Sequence, residues 1–258
     1  MDTGLSGKVA IVGGASQGIG FAIARLLALE GAKVAMVARK EERLQEAVAQ
    51  IGAECDTRPL AIPADIRKAE DCARIVKTAV DALGALHVLV NNDGAPPLAN
   101  IVECDDAAWD KAIQQNFMSV VRLTRDAIPH MRSAGGGRIV NITALSVLQP
   151  VARFGLSVAT WAGVLGYAKT LSLEVAGNGI TVNTICPGRI ATPRLAKLAE
   201  SSPSDAKMME ETARQTPAGR LGTPDEIAGL VVFLASTYAG YMTGGVFHVD
   251  GGRRASLL

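Results

Sequence analysis

A glycine-rich segment near the amino terminus combines residue types and spacing that point to phosphate chemistry. It follows a short apolar run, precedes an amphipathic stretch, and has the sequence Gly13-Gly14-Ala15-Ser16-Gln17-Gly18-Ile19-Gly20. A strand that passes through a glycine turn into a helix makes a phosphate site, because glycines let the backbone approach closely and the helix offers free N–H groups. The spacing is GxxxGxG, which differs from the commoner GxGxxG. We therefore expect the pyrophosphate of a dinucleotide at this turn.

Two cations follow the second apolar run. That run, Lys33–Ala38, ends directly before Arg39 and Lys40. Sites for NAD usually place a carboxylate near the end of this strand, where it accepts hydrogen bonds from the ribose hydroxyls. A carboxylate would repel a 2′-phosphate, whereas Arg39 can donate paired hydrogen bonds to one. The sequence therefore favours NADP over NAD. The alternative is that both cations are simply solvated residues at a helix start.

The composition argues against several other functions. The formal net charge is +1 and no block of like charges occurs, so a nucleic-acid-binding surface is not expected. The sequence contains no apolar run of about 18 residues, so a membrane span is not expected. The first residues also lack a signal-peptide pattern. The 4 cysteines are far apart, which predicts reduced thiols with neither a metal cluster nor a disulfide framework. We expect a cytoplasmic protein without a bound metal.

The alternation of strands and helices predicts the fold. The predicted strands are Lys8–Val12, Lys33–Ala38, Arg58–Pro63, His87–Asn91, Arg138–Ile142, Thr181–Ile185 and Val246–Val249. The predicted helices lie near residues 18–30, 41–52, 69–83, 106–132, 155–177 and 225–236. Such alternation with short links is typical of right-handed βαβ units. We predict one α/β domain over residues 1–258 with a Rossmann fold, a doubly wound seven-stranded parallel sheet with helices on both faces.

The least regular stretch lies at about 192–220, after the sixth predicted strand. It contains Pro193, Pro203 and Pro217 around a short polar helix predicted over Ser204–Arg214. Long insertions near the carboxyl ends of parallel strands usually act as lids over a site. We predict a substrate lid here, and the alternative is a surface excursion without a role.

Further motifs occur in a fixed order along the chain. They are Gly14/Gly18/Gly20, Asp65, Asn91-Asn92-Asp93-Gly94, Asn116, Gly137-Arg138-Ile139-Val140-Asn141-Ile142, Pro187-Gly188 with Thr192, and Val249-Asp250-Gly251-Gly252. Through these motifs the chain resembles the classical short-chain dehydrogenase/reductase family, including its β-ketoacyl-carrier-protein-reductase-like members, over nearly its whole length. The resemblance implies hydride transfer between NADP, or NAD, and a small carbonyl or alcohol substrate. It also implies a homotetramer or homodimer.

The resemblance assigns the cofactor to particular positions. The cofactor-binding residues that it implies are Gly14, Ser16, Gln17, Gly18, Ile19, Gly20, Arg39, Asp65, Ile66, Asn92, Gly94, Pro187, Gly188, Ile190 and Thr192. Asp65 would hold the adenine ring through its carboxylate. Asp93 departs from the family's usual alanine, and its charge would either weaken binding or accept a hydrogen bond from a ribose hydroxyl.

The catalytic residues of the family are not matched. The family's chemistry uses a Tyr that exchanges a proton with the substrate oxygen, a Lys that lowers the Tyr pKa and holds the ribose, and a Ser that polarises the carbonyl. Counted from the motifs on either side, the Ser, Tyr and Lys positions are Ala144, Ser157 and Trp161. Of the usual four residues only Asn116 remains, which would interrupt its helix and anchor a water. Ser157 is a poor acid near neutral pH.

Three hypotheses follow from this contrast. The first is an atypical oxidoreductase that uses Asn116 and Ser157, with water or Arg153 in supporting roles. The second is a catalytically impaired NADP-binding protein, a sensor or a subunit that supports an active relative. The third is a non-redox enzyme that reuses the pocket. The sequence does not identify the substrate.

Overall fold

Seven parallel strands form one sheet in the order β3-β2-β1-β4-β5-β6-β7 in the computed structural model, which describes residues 2–193, 195–196, 211 and 213–257. The strands are β1 Val9–Val12, β2 Lys33–Ala38, β3 Leu60–Pro63, β4 Val88–Asn91, β5 Gly137–Ile142, β6 Ile180–Pro187 and β7 Val246–Val249. The prediction of a seven-stranded, doubly wound parallel sheet is confirmed.

Helices cover both faces of this sheet. Within the described part of the chain the α-helices are α1 Gly18–Leu29, α2 Glu41–Gly52, α3 Ala69–Leu83, α4 Asp106–Ile113, α5 Ser119–Ser133, α6 Gly155–Val175 and α7 Pro224–Ala235. Short 3₁₀ turns lie at Ile101–Glu103, Leu145–Val147, Ala176–Asn178 and Thr237–Ala239. A π-helical stretch, Gln114–Met118, joins α4 to α5, so the helix predicted over 106–132 is interrupted in its middle.

Most strand boundaries lie within one residue of the predicted ones, and larger differences occur in β3 and β6. β3 begins at Leu60 and not at Arg58, because Pro59 has no N–H with which to enter the ladder. β6 is longer than predicted and runs from Ile180 to Pro187, since β5 and β7 pair with it on its two sides. Most of the predicted helix at Ser204–Arg214 and most of the predicted lid at 192–220 lie outside the described residues.

The strand order reverses between β1 and β4, and this reversal places the site. The connection after β1 and the connection after β4 run to opposite sides of the sheet. A crevice therefore opens between them at the carboxyl ends of these two strands. The glycine turn follows β1, and Asn92 follows β4 directly. The two segments therefore meet at the place where open α/β sheets bind ligands.

Two apolar layers, one on each face of the sheet, hold the strands in place. On one face, α1 and α7 pack together through residues that include Ile23, Leu27, Ile227 and Val231. On the other face, helices α3, α5 and α6 cover the strands in a second layer. Strands buried on both faces explain why the chain is 48% hydrophobic yet only 4% aromatic, because aliphatic side chains let helices lie close to a sheet.

Two classes of feature are missing from the described residues. None of the helices there is both long enough and apolar enough to cross a membrane. Across the same residues, His, Cys, Asp and Glu side chains nowhere form a group that could hold a metal ion.

The amino terminus of α7 carries a capping box. Removing this cap tests how much α7 contributes to the stability of the apolar layer that it forms with α1. Thr223 accepts a hydrogen bond from the Glu226 N–H, and the Glu226 side chain accepts one from the Thr223 N–H at 2.7 Å. We expect Thr223→Ala to lower the free energy of unfolding by about 1 kcal/mol, which is roughly 2–4 °C in Tm for a chain of this size. Thermal and urea denaturation followed by circular dichroism would measure it.

Thr170→Ala provides the matched control for this prediction. Thr170 is exposed within α6, so the same chemical change there removes no cap and, because Ala favours a helix more than Thr does, should not lower stability. Equal effects of the two substitutions would contradict a stabilising role for the cap.

Candidate active site

The glycine turn is shaped by close backbone approach. Gly14 has a φ of +59°, which favours glycine. A Cβ on Gly20 would lie 2.3 Å from the Gly14 carbonyl oxygen and 2.7 Å from Asn92 Nδ2. Asn92 Nδ2 also donates to the Gly13 carbonyl at 2.9 Å. Asn92 thus connects the end of β4 to the turn, and the N–H groups at the start of α1 stay available to a ligand.

A cleft of about 680 Å³ opens at this edge of the sheet. Its volume suits a large organic ligand. The predicted cofactor residues that line it are Gly14, Ser16, Gln17, Gly18, Ile19, Gly20, Arg39, Ile66, Asn92, Gly94 and Thr192. The structure therefore brings most of the predicted set together in one elongated space.

Four predicted cofactor residues lie outside the lining of the cleft. Asp65 lies next to it, and Pro187 is buried at the end of β6. Gly188 packs against Asp250, whose Cα lies 2.8 Å from the position that a Cβ on Gly188 would occupy. Ile190 is 7% exposed and forms an isolated bridge with Gly222. These assignments stay predictions.

Three cations line one end of the cleft. Arg39 and Lys40 are exposed there, as the sequence predicts, and Arg43 joins them from the first turn of α2. Arg43 Nη1 donates to the Gln17 side-chain oxygen at 3.0 Å, which links α2 to the glycine turn. The sequence analysis missed Arg43. Its spacing of four residues from Arg39, on a helix that starts between them, is the signal that could have identified it.

The Asp65 carboxylate is already engaged by a cation. Both of its oxygens accept hydrogen bonds from the Arg67 guanidinium, with Nε at 2.8 Å from Oδ1 and 3.0 Å from Oδ2. These bonds hold the Asp65 pKa below its usual range. A carboxylate has room for further donors. The predicted contact with an adenine ring therefore requires Asp65 to share its oxygens with Arg67.

Asp93 is a half-buried acid in the wall of the cleft. Burial raises its pKa, and the Gly94 N–H and the positive charge of Arg39 act in the opposite direction. Among the described residues that line the cleft, Asp93 is the one carboxylic acid. Asp93 also lines a small cavity together with Asn116 and Trp161, so it lies near the positions predicted for catalysis as well as near the charge of Arg39.

The predicted catalytic positions lie at the other end, on and around α6. Trp161 is 8% exposed, lines the cleft, and packs in an apolar cluster with Val120 and Val164. Ala144 packs against the same cluster. Ser157 is 3% exposed and does not line the cleft. The indole of Trp161 therefore forms the wall of the cleft at the position where the family resemblance places a lysine.

Asn116 is tied to α6 from the π-helical stretch. Its Nδ2 donates to the Thr160 hydroxyl at 2.9 Å, and that hydroxyl in turn donates to the Leu156 carbonyl at 2.7 Å. Asn116 Oδ1 is buried without a partner. Asn116 also lines a buried cavity of about 20 Å³, which is room for one water molecule. The pair Asn116–Thr160 fixes the distance between α6 and the α4–α5 junction.

Arg153 lies outside this arrangement. It is exposed, adopts a φ of +68°, and its carbonyl accepts a hydrogen bond from the Ala99 N–H at 3.1 Å. The described residues that line the cleft contribute neither a Tyr, a His nor a Cys. The arrangement offers cationic and backbone groups for an anionic ligand, and the indole of Trp161 where acid–base chemistry would be needed.

The sequence and the structure both match known proteins over nearly their full length. A family profile described as Enoyl-(Acyl carrier protein) reductase matches residues 14–254. The chain is 38% identical to the short-chain reductase protein NovJ of Streptomyces niveus, over 95% of this chain and 94% of that protein. It is 37% identical to the 3-oxoacyl-[acyl-carrier-protein] reductase FabG of Vibrio cholerae, over 96% of this chain and 98% of that protein.

A solved structure gives the same result for the fold. L-sorbose reductase from Gluconobacter frateurii, in complex with NADPH and L-sorbose, superposes with a TM-score of 0.96. The two chains are 35% identical, and the match covers 100% of each. The profile, the two reductases and the solved structure each match nearly the full length of the chain. The chain belongs to the short-chain dehydrogenase/reductase family.

Proposed function

We propose that this protein is an NADP-dependent reductase of small carbonyl compounds with an atypical active site. The observation that carries the proposal is one continuous cleft. It joins the glycine turn after β1 to the cations Arg39, Lys40 and Arg43 after β2. The L-sorbose reductase that this chain resembles was solved with NADPH. When bound, NADPH supplies the hydride, and the protein must position the acceptor carbon and provide a proton.

The residues of the cleft fit such a cofactor. At the glycine turn the absence of side chains exposes backbone N–H groups to a pyrophosphate. Arg39 and Arg43 would donate to a 2′-phosphate, and both are in place before the cofactor binds. Thr192 approaches the turn, with its Cγ2 3.4 Å from the position of a Cβ on Gly18. It would close the cleft over the middle of the cofactor.

Proton delivery is the weak step in this site. The Ser157 hydroxyl is buried and does not line the cleft, and the indole of Trp161 carries no charge that could assist a proton transfer. Water that enters the cleft must then supply the proton. We infer that hydride transfer is slow, because no side chain with a suitable pKa donates the accompanying proton. The rate should be about 10²–10⁴-fold below that of a site with such an acid.

A second function is favoured by the packing of Trp161. Its indole is buried in an apolar cluster with Val120 and Val164, which stabilises α6 but cannot assist turnover. A protein that binds NADPH tightly and turns over little would act as a sensor or as a supporting subunit. A non-redox use of the pocket has no comparable observation behind it.

We also propose self-assembly into a homodimer or homotetramer. The support is a group of exposed apolar side chains on α6 and near β7, namely Leu173, Tyr238, Tyr241 and Val246. Large exposed apolar side chains on neighbouring segments are typical of subunit contacts. A cytoplasmic location stays a prediction from the sequence.

Replacing Arg39 tests the cofactor assignment. We expect Arg39→Ala to weaken NADPH binding roughly 10- to 100-fold, because charge-assisted hydrogen bonds to the 2′-phosphate are lost. NADH lacks this phosphate, so its affinity should stay the same. Calorimetric titration with both nucleotides would measure the difference. Lys33→Ala, at the opposite end of β2, is the control and should change neither affinity. Equal losses for NADPH and NADH would contradict the assignment.

Restoring the three missing groups tests the account of the catalytic end. We expect the triple variant Ala144→Ser, Ser157→Tyr, Trp161→Lys to reduce simple ketones about 10²–10⁴-fold faster than the wild type. Oxidation of NADPH followed by absorbance measures the rate. Trp161→Phe keeps an apolar ring without adding an acid, so it should show no gain. A triple variant that binds NADPH normally but gains no activity would show that these positions are not the catalytic ones.

A further inference from the structure

Three segments meet beyond the carboxyl ends of β5, β6 and β7. The loop after β5 supplies Phe154, whose ring lies under the guanidinium of Arg189 at 5.3 Å from its centroid. Arg189 is the second residue after β6. The tail after β7 reaches the same loop, since the Ala255 N–H donates to the Gln149 side-chain oxygen at 3.3 Å. These contacts place the cationic tail residues beside the end of β6.

Arg189 is a half-buried cation held in a fixed orientation. The guanidinium lies over the Phe154 ring, whose face attracts a cation and offers no acceptor for a conventional hydrogen bond. Burial and the positive charge of Arg253 both lower the Arg189 pKa. Within the residues that the structure describes, no carboxylate forms an ion pair with Arg189. Partial burial of a cation costs free energy unless an anion pairs with it.

Arg254 adds a second guanidinium to this place. Its backbone N–H donates to Asp250 Oδ2 at 2.7 Å, which fixes the tail at that residue. Its Nε is buried without a hydrogen-bond partner, and its Nη2 has only a long contact of 3.4 Å with the Ser256 hydroxyl. The guanidinium therefore keeps donors unused at a site that is partly closed to water.

This cationic place lies near one wall of the cleft. A Cβ on Gly188 would lie 2.8 Å from the Asp250 Cα, and the Asp250 carboxylate accepts the Arg254 N–H, so Arg254 lies near the end of β6. Cys186 Sγ lies 3.2 Å from the Thr143 hydroxyl, and Thr143 lines the cleft.

We propose that Arg189 and Arg254 form a subsite for a carboxylate of the substrate, so that the protein acts on oxo acids. This inference rests on the proposed function and names its substrate class. A guanidinium binds a carboxylate through two parallel hydrogen bonds, which also orients the molecule. The carbonyl carbon would gain the hydride that NADPH loses, its oxygen would gain a proton from water, and a hydroxy acid and NADP⁺ would leave.

Such an anchor also bears on the absence of a tuned acid. Binding energy from a group remote from the reacting carbon can hold that carbon in a productive position. A site with poor proton delivery gains from this more than a site with a complete set of catalytic groups. The subsite therefore gives selectivity for acids over neutral ketones.

Equilibrium binding tests the subsite without requiring turnover. The NADPH-saturated protein would be titrated by calorimetry with pyruvate, acetoacetate and levulinate, and with their methyl esters. At least one acid should bind roughly tenfold or more tightly than its ester. Arg189→Gln should weaken that acid roughly 10- to 100-fold and leave the ester and NADPH unchanged. Arg189→Lys keeps the charge without the paired geometry and should lie in between.

The controls separate the two proposals. Arg58→Gln, an exposed cation at the far side of the sheet, should change nothing. If no acid binds better than its ester, or if Arg189→Gln binds the acid as the wild type does, the subsite is wrong while the cofactor assignment stands. If NADPH fails to bind, the proposed function is wrong, and titration of the protein alone with the same acids and esters still decides the subsite.

Discussion

The contact between the glycine turn and the end of β4 fixes the position of the whole cleft. A Cβ on Gly13 would lie 2.6 Å from the Asn92 carbonyl oxygen, and one on Gly20 would lie 2.3 Å from the Gly14 carbonyl oxygen. Such distances cannot accommodate a side chain, so the turn packs as bare backbone. The start of α1 then points into the crevice between β1 and β4. Every group that would bind a cofactor is positioned relative to this contact.

The two ends of the cleft differ in what their side chains can do. At the β2 end, Arg39 and Arg43 offer charge to an anion. At the α6 end, Trp161 offers packing, and burial of a large apolar side chain stabilises a fold by roughly 1.5–3 kcal/mol. A lysine in that place would instead be costly to bury without a partner. The molecule therefore combines a site prepared for a charged cofactor with a helix whose inward face stabilises the fold and supplies no acid.

The fold could be predicted from the sequence because its signals are local. Short β-branched runs, amphipathic stretches and the glycine turn all depend on neighbouring residues. Of the 15 cofactor residues that the resemblance implies, 11 line the cleft. The pairing of Asp65 with Arg67 and the stacking of Arg189 on Phe154 could not be predicted in this way. Both depend on where side chains meet after folding, and Phe154 and Arg189 are brought together from the loop after β5 and the end of β6.

The central claim is that an NADPH site lies directly against the indole of Trp161, and the fluorescence of that residue tests it most directly. The chain has 2 tryptophans, so Trp109→Phe leaves Trp161 as the one indole. Titration of this variant with NADPH should quench its fluorescence in a saturable way, with the affinity that calorimetry gives for the wild type. NADPH binding by calorimetry without any change in the emission of Trp161 would contradict this account, and so would a complete absence of binding.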